Sequence, residues 1–148
     1  MKLSEDNIAD RLANWPVARL ATVNPDGQAH QVPMVFAWHD AKLWSPIDGK
    51  PKRQGQPARV RNILRNPSAS VLIDDYRDDW RQLWWIRLEV EINVLALDNC
   101  SASDHVKAQK ALQALRAKYP QYLDTPILGE PPTLLEMSIR SMASWRAT

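Results

Sequence analysis

Between Gln82 and Leu95 apolar and polar side chains alternate without a break. Trp84, Ile86, Leu88, Val90, Ile92 and Val94 hold one parity, and Trp85, Arg87, Glu89, Glu91 and Asn93 hold the other. A period of two sustained over about a dozen residues predicts a strand with one buried face, long enough to bend around a barrel. Shorter apolar or alternating runs predict further strands at Val17–Val23, Ala29–Trp38, Lys42–Ser45, Ala69–Asp74 and Thr133–Trp145. Asn24-Pro25-Asp26-Gly27 puts Pro and Gly where a type I turn favours them, which joins the first two strands as a hairpin. Pro33 has no N–H to give a ladder, so its position is an edge, a bulge, or a point where the backbone faces a ligand.

Three helices are predicted between these strands. Ser4–Asn14 has Ser4 as N-cap, Glu5 and Asp6 near the positive end of its dipole, and Pro16 as its stop. Pro57–Asn66 starts on a first-turn proline and ends before Pro67. Ser103–Tyr119 carries Ala108, Ala111, Leu112, Leu115 and Tyr119 on one face. Pro120–Pro132 is a proline-rich loop. The order predicts a mainly β (α+β) fold, a small closed or half-closed antiparallel barrel with helices outside. With 148 residues, no repeat and no linker, residues 1–148 are expected to form a single domain.

Net charge narrows the function classes. It is only +2, from 19 basic and 17 acidic residues, too balanced for a nucleic-acid footprint. The single cysteine, Cys100, excludes a disulfide framework and fits a reducing compartment. No apolar run approaches the roughly 18 residues of a membrane span, and Met1–Asp6 has no apolar leader stretch. The expectation is a cytoplasmic protein with no membrane partner. His30, His39 and His105 lie far apart and none stands at ligand spacing from Cys100, so no metal site is expected. There is no nucleophile elbow and no glycine-rich phosphate loop.

The charge is unevenly placed. From Gly49 to Ile73 there is no acidic residue, while Lys50, Lys52, Arg53, Arg59, Arg61 and Arg65 are basic. A Lys/Arg loop leading into a helix N-terminus suits an anion, because free N–H groups and side-chain donors converge there. A solvated basic face is the alternative. Asp74, Asp75, Asp78 and Asp79 follow closely, which favours one phosphorylated small molecule over a polyanion. Tryptophan is also in excess, 7 against a single Phe. Trp84 shares the apolar parity and reads as core. Trp85 and Arg87 share the polar parity, where a tryptophan beside an arginine can stack on a flat ring or sit in a subunit interface. Trp80, in a loop after Asp78 and Asp79, is open to the same two readings. Together these features point to a flat, anionic, phosphorylated cofactor.

Ala18-Arg19-Leu20-Ala21-Thr22-Val23, followed by Pro25-Asp26-Gly27 and the Val32-Pro33 strand, resembles the opening of the pyridoxamine 5′-phosphate oxidase-like, FMN-binding split barrels. Ile47-Asp48-Gly49-Lys50-Pro51-Lys52-Arg53, Arg61-Asn62-Ile63, Asn66-Pro67, Asp79-Trp80 and Leu83-Trp84-Trp85-Ile86-Arg87 are similar to a narrower subfamily described as F420-dependent enzymes. The likeness runs from Trp15 to Leu95, with a weaker echo in the strand ending at Trp145. It implies a six-stranded antiparallel split β-barrel with flanking helices, working as a homodimer with cofactor sites at the interface. The phosphate would then sit on Lys50, Lys52, Arg53 and Arg59. The tricyclic ring would lie along Val32, Pro33, Met34 and Ser45, covered from the partner chain by Trp80, Trp85 and Arg87.

The implied activity is hydride transfer between bound F420 or FMN and a small organic substrate, with no dedicated catalytic side chain required. The chain departs from the family at Leu88-Glu89-Val90-Glu91, where small residues are usual. Either those carboxylates face solvent or the pocket is altered. Two other readings stand beside the enzyme. One is a non-catalytic cofactor- or haem-binding protein, with His30, His39 or His105 as the available iron ligands. The other is a structural dimer without a ligand.

Overall fold

Ser4 starts the first helix by accepting a hydrogen bond from the Asn7 N–H at 3.2 Å, the capping interaction that its side chain favours. From there the chain runs α1 (Glu5–Asn14), β1 (Ala18–Val23), β2 (Ala29–Met34), β3 (Ala37–His39), β4 (Lys42–Ile47), α2 (Ala58–Arg65), β5 (Ser68–Asp75), β6 (Trp84–Ala96), α3 (Ala102–Lys118) and β7 (Thr133–Arg146). This is a computed structural model and it describes residues 1–49 and 56–148. The strands form one antiparallel sheet in the order β2-β1-β5-β6-β7-β4-β3. Among the described residues no helix is long and apolar enough to cross a membrane.

The sheet has seven strands, not the six expected, because the segment read as one strand, Ala29–Trp38, breaks at Val35–Phe36 into β2 and β3. These two are the opposite edges of the sheet yet are separated by only two residues of chain. The sheet therefore curls until its edges are neighbours, which makes a barrel with a slit. The break has specific partners. Ser45 Oγ donates to the Val35 carbonyl at 2.7 Å. The Tyr119 hydroxyl accepts from the Phe36 N–H at 3.1 Å and lies within 2.9 and 3.0 Å of the Pro16 and Phe36 carbonyls. Lys118 Nζ donates to the Phe36 carbonyl at 2.9 Å. Side chains thus take over hydrogen bonds that a continuous ladder would supply.

The β6 alternation is realised: its even-numbered residues from Trp84 to Ile92 are buried and the odd-numbered Arg87, Glu89 and Glu91 exposed. Inside the curl, Leu20, Leu43, Ile73, Ile86 and Leu88 meet Leu12 of α1 and Val60 and Ile63 of α2. Each fully buried side chain of this kind contributes roughly 1.5–3 kcal/mol. Trp15 meets Trp84 edge-on at 4.8 Å beside α1. At the other end Asn62 of α2 donates to Thr22 and Asn24 at 3.1 and 3.0 Å.

A second apolar cluster lies outside the sheet, where Ala108, Ala111, Leu112 and Leu115 of α3 cover Trp44, Leu95 and Leu134. Glu136 of β7 is buried at this seam, and it accepts from Lys42 at 2.9 Å, Lys107 of α3 at 3.1 Å and Asn93 at 3.2 Å. Burial alone would raise its pKa, but the bonds from Lys42, Asn93 and Lys107 outweigh that and hold it below the ordinary glutamate value. Its contribution to stability is therefore present above about pH 4.5 and lost as pH falls further. Glu136→Gln is expected to cost about 1–2 kcal/mol at neutral pH, since both lysines stay partly hydrated. The difference from wild type should shrink below about pH 4.5, a trend that urea titrations at several pH values will measure.

Candidate functional site

The end of β4 is fastened to the proline-rich segment that precedes β7. The Gly129 N–H donates to the Ile47 carbonyl and the Gly49 N–H to the Pro126 carbonyl, both at 2.8 Å. A Cβ at Gly49 would stand 2.9 Å from the Pro126 Cβ, so the close approach itself requires glycine there. Between these contacts Asp48 is buried and accepts from the Tyr122 hydroxyl at 2.9 Å. Burial, then the bond to Asp48, push the Tyr122 phenol well above its ordinary range.

Lys50, Lys52 and Arg53 lie outside the described residues. The helix α2 begins after Pro57 with no side-chain cap and no acidic residue in its first turn. The Val60 and Arg61 N–H groups return to the Pro57 carbonyl at 3.0 and 3.2 Å, which leaves those of Ala58 and Arg59 to partners outside the helix. Arg59 stands in that turn, half-buried, with an Nε that is enclosed and has no hydrogen-bond partner. Burial lowers its pKa and the charge of Asp48 works in the opposite direction. The other helix arginines are committed to backbone: Arg61 donates to the Gln56 carbonyl, and Arg65 to the Val23 carbonyl at 2.8 Å. A cleft of about 200 Å³ opens beside the start of α2, lined among others by Asp48, Gly49, Gln56, Pro57, Val60 and Glu130, with Arg59 outside its lining. A half-buried arginine with an enclosed, unpartnered Nε at an uncapped helix start fits an anionic group such as a phosphate.

The four residues expected along a ring do not share one surface. Met34 and Ser45 are buried, Val32 is half-buried against the core, and Pro33 alone points outward on the edge strand β2. Ser45 is committed to the Val35 carbonyl, so it acts on the shape of the slit. Pro33 on an edge is one of the three positions its missing N–H allows.

Trp80, Trp85 and Arg87 lie elsewhere. Trp80 is 75% exposed. Trp85 is half-buried, with the Arg87 guanidinium 5.1 Å from its ring centre. In register across the outer face run Pro33, Arg19, Leu72, Arg87 and Ala143, on strands β2, β1, β5, β6 and β7. Trp85 stands one row away, opposite Asp74 and Trp145. Pro33 and Arg87 are three strand spacings apart, about 14 Å along the sheet. They share a face without touching. Glu89 and Glu91 are exposed on that face as well, Glu89 Oε1 3.7 Å from Arg87 Nε and Glu91 Oε2 3.0 Å from Arg140. The carboxylates that replace small residues thus point away from the core and meet cations.

Asp48 and Tyr122 were missed by sequence reasoning. The available signal was that Asp48 is the last acidic residue before the acid-free stretch. Tyr122, 74 residues away, gave none.

Residues 4–146 match the family model described as pyridoxamine 5′-phosphate oxidase. Among curated proteins none is similar enough in sequence to match. Similar solved structures include an FAD-binding protein from Mesorhizobium loti, 19% identical, with a TM-score of 0.69 over 97% of this chain and 93% of that one. An F420 reductase is 16% identical with a TM-score of 0.57, covering 90% of this chain and 93% of that one. The haem storage protein HutZ from Vibrio cholerae is 14% identical with a TM-score of 0.62, covering 99% and 95%.

Proposed function

The chain belongs to the pyridoxamine 5′-phosphate oxidase family, and on that premise we propose that it is a cytoplasmic flavin- or deazaflavin (F420)-dependent oxidoreductase acting on a small organic substrate. The cofactor, FMN or F420, would supply the hydride chemistry. Lys50, Lys52, Arg53 and Arg59 would hold its phosphate. The Val32–Met34 edge, shaped through Ser45, would border the ring. Trp80, Trp85 and Arg87 of the partner subunit would close the site, because within one protomer they stand too far from Pro33 to do so.

The observation that carries this reading is the enclosed, unpartnered Nε of Arg59 in the uncapped first turn of α2. The homodimer reading is supported by the outward-facing residues of the sheet, where Leu72 and Ala143 share a row with Arg87 and the half-buried Trp85 lies in the next row. Titrating the purified protein with FMN and with F420, followed by cofactor fluorescence, tests it. Saturable quenching of one is expected, and quenching of neither overturns the assignment.

A second reading, a non-catalytic haem-binding protein, is favoured by one feature. His30 on β2 has an enclosed Nδ1 without a partner. A Soret band that forms on adding haem and disappears in His30→Ala would support it. Haem addition without a Soret band would remove it.

A further inference from the structure

We propose that the cleft between the end of α1, the Val35 slit and the end of α3 is a second binding site, for a small apolar monoanion such as a carboxylate, with Lys118 as its counter-charge. This goes beyond the cofactor reading and does not depend on it.

The cleft measures about 330 Å³, within the range of small-molecule sites. Pro16, Val17, Val35 and Pro120 give it apolar walls, and Lys118 is the only charged residue that lines it among the described residues. An apolar body would fill the walls and an acid group would meet the amine. Nζ donates to the Phe36 carbonyl at 2.9 Å and lies 3.6 Å from the centre of the Phe36 ring. The amine also lies 5.3 Å from the centre of the Tyr119 ring. An ammonium carries three donors, so two remain for a ligand. No ion pair to a carboxylate is formed by Lys118 among the described residues.

The amine's own chemistry agrees. Burial pulls its pKa down to about 8, because a cation without a nearby anion is disfavoured where water is scarce. The titratable groups facing it from the packed elements do not compensate. Tyr119 is pushed up to about 12 by burial, and Tyr122 is raised as well and occupied with Asp48. A bound carboxylate would supply the missing charge and raise the Lys118 pKa. Binding near pH 8 must then take up protons.

Calorimetric titration of the full-length protein with benzoate, at pH 8 in two buffers of different ionisation enthalpy, reads both affinity and proton uptake. Wild type is expected to bind benzoate with net proton uptake, and to bind benzyl alcohol at least tenfold more weakly. Lys118→Met should weaken benzoate at least tenfold and abolish the uptake. Val17→Trp, which fills the cleft from a partly exposed wall and leaves Lys118 intact, should block binding in a protein whose fold is otherwise unaltered. No benzoate binding by wild type, undiminished binding by either variant, or equal affinity for benzyl alcohol would each overturn the site. None of these outcomes bears on FMN or F420, whose titration is separate.

Discussion

Replacing Lys50 and Arg53 together with alanine is expected to weaken FMN or F420 binding by on the order of 10²–10⁴-fold while leaving the thermal midpoint unchanged. A hydrogen bond to a charged group contributes about 1.5–3 kcal/mol, so losing two removes about 3–6 kcal/mol of binding, and roughly 1.4 kcal/mol is a factor of ten. The fold should not notice, because long charged side chains are almost never fully buried unless paired. Arg59→Ala separates the contributions further, since its Nε is already enclosed in the structure without a partner. A fluorescence titration beside a thermal melt measures both halves of the expectation. Unchanged affinity in the double variant would remove this loop from the site.

Phe36→Ala is expected to cost about 3–5 kcal/mol, the range for a buried aromatic cut back to a methyl group. The ring is fully buried in the barrel cluster, and Lys118 rests on its face. Its backbone N–H and carbonyl are gripped by Tyr119 and Lys118, so the residue can relax little to fill the void. Phe36→Leu should cost under about 1.5 kcal/mol, because it keeps most of the volume. Urea midpoints at constant slope give both numbers. A loss below about 1 kcal/mol for the alanine variant would mean that the slit is not anchored through this ring.

That same residue marks where sequence reading succeeds and where it stops. The β6 strand was legible because one of its faces is buried and the other wet, and that difference is written residue by residue into the chain. The break at Val35–Phe36 was not. Val32, Met34, Phe36 and Trp38 keep one parity straight through it, so local pattern extends a single strand to Trp38. What divides the strand is Tyr119, 83 residues away, and Ser45, 10 residues away. Neither advertises its role: Tyr119 reads as one more apolar position on the α3 face. The proposed anion site was legible in part for the opposite reason. Charge composition flagged the whole acid-free stretch, but only packing could distinguish Arg59, whose Nε is enclosed and unpartnered, from Arg61 and Arg65, which are spent on backbone carbonyls. Trp85 was read correctly as lying off the core, since parity fixes the face. Which residues flank it across the sheet, Asp74 and Trp145, required the topology.

Sedimentation of the cofactor-loaded protein, detected at the cofactor's visible absorbance, tests the shared site most directly. A ring covered by Trp80, Trp85 and Arg87 of the partner subunit requires the absorbance to travel with a species of twice 16.9 kDa. Cofactor carried by a 16.9 kDa monomer, or left behind at the meniscus while the protein sediments, would contradict it.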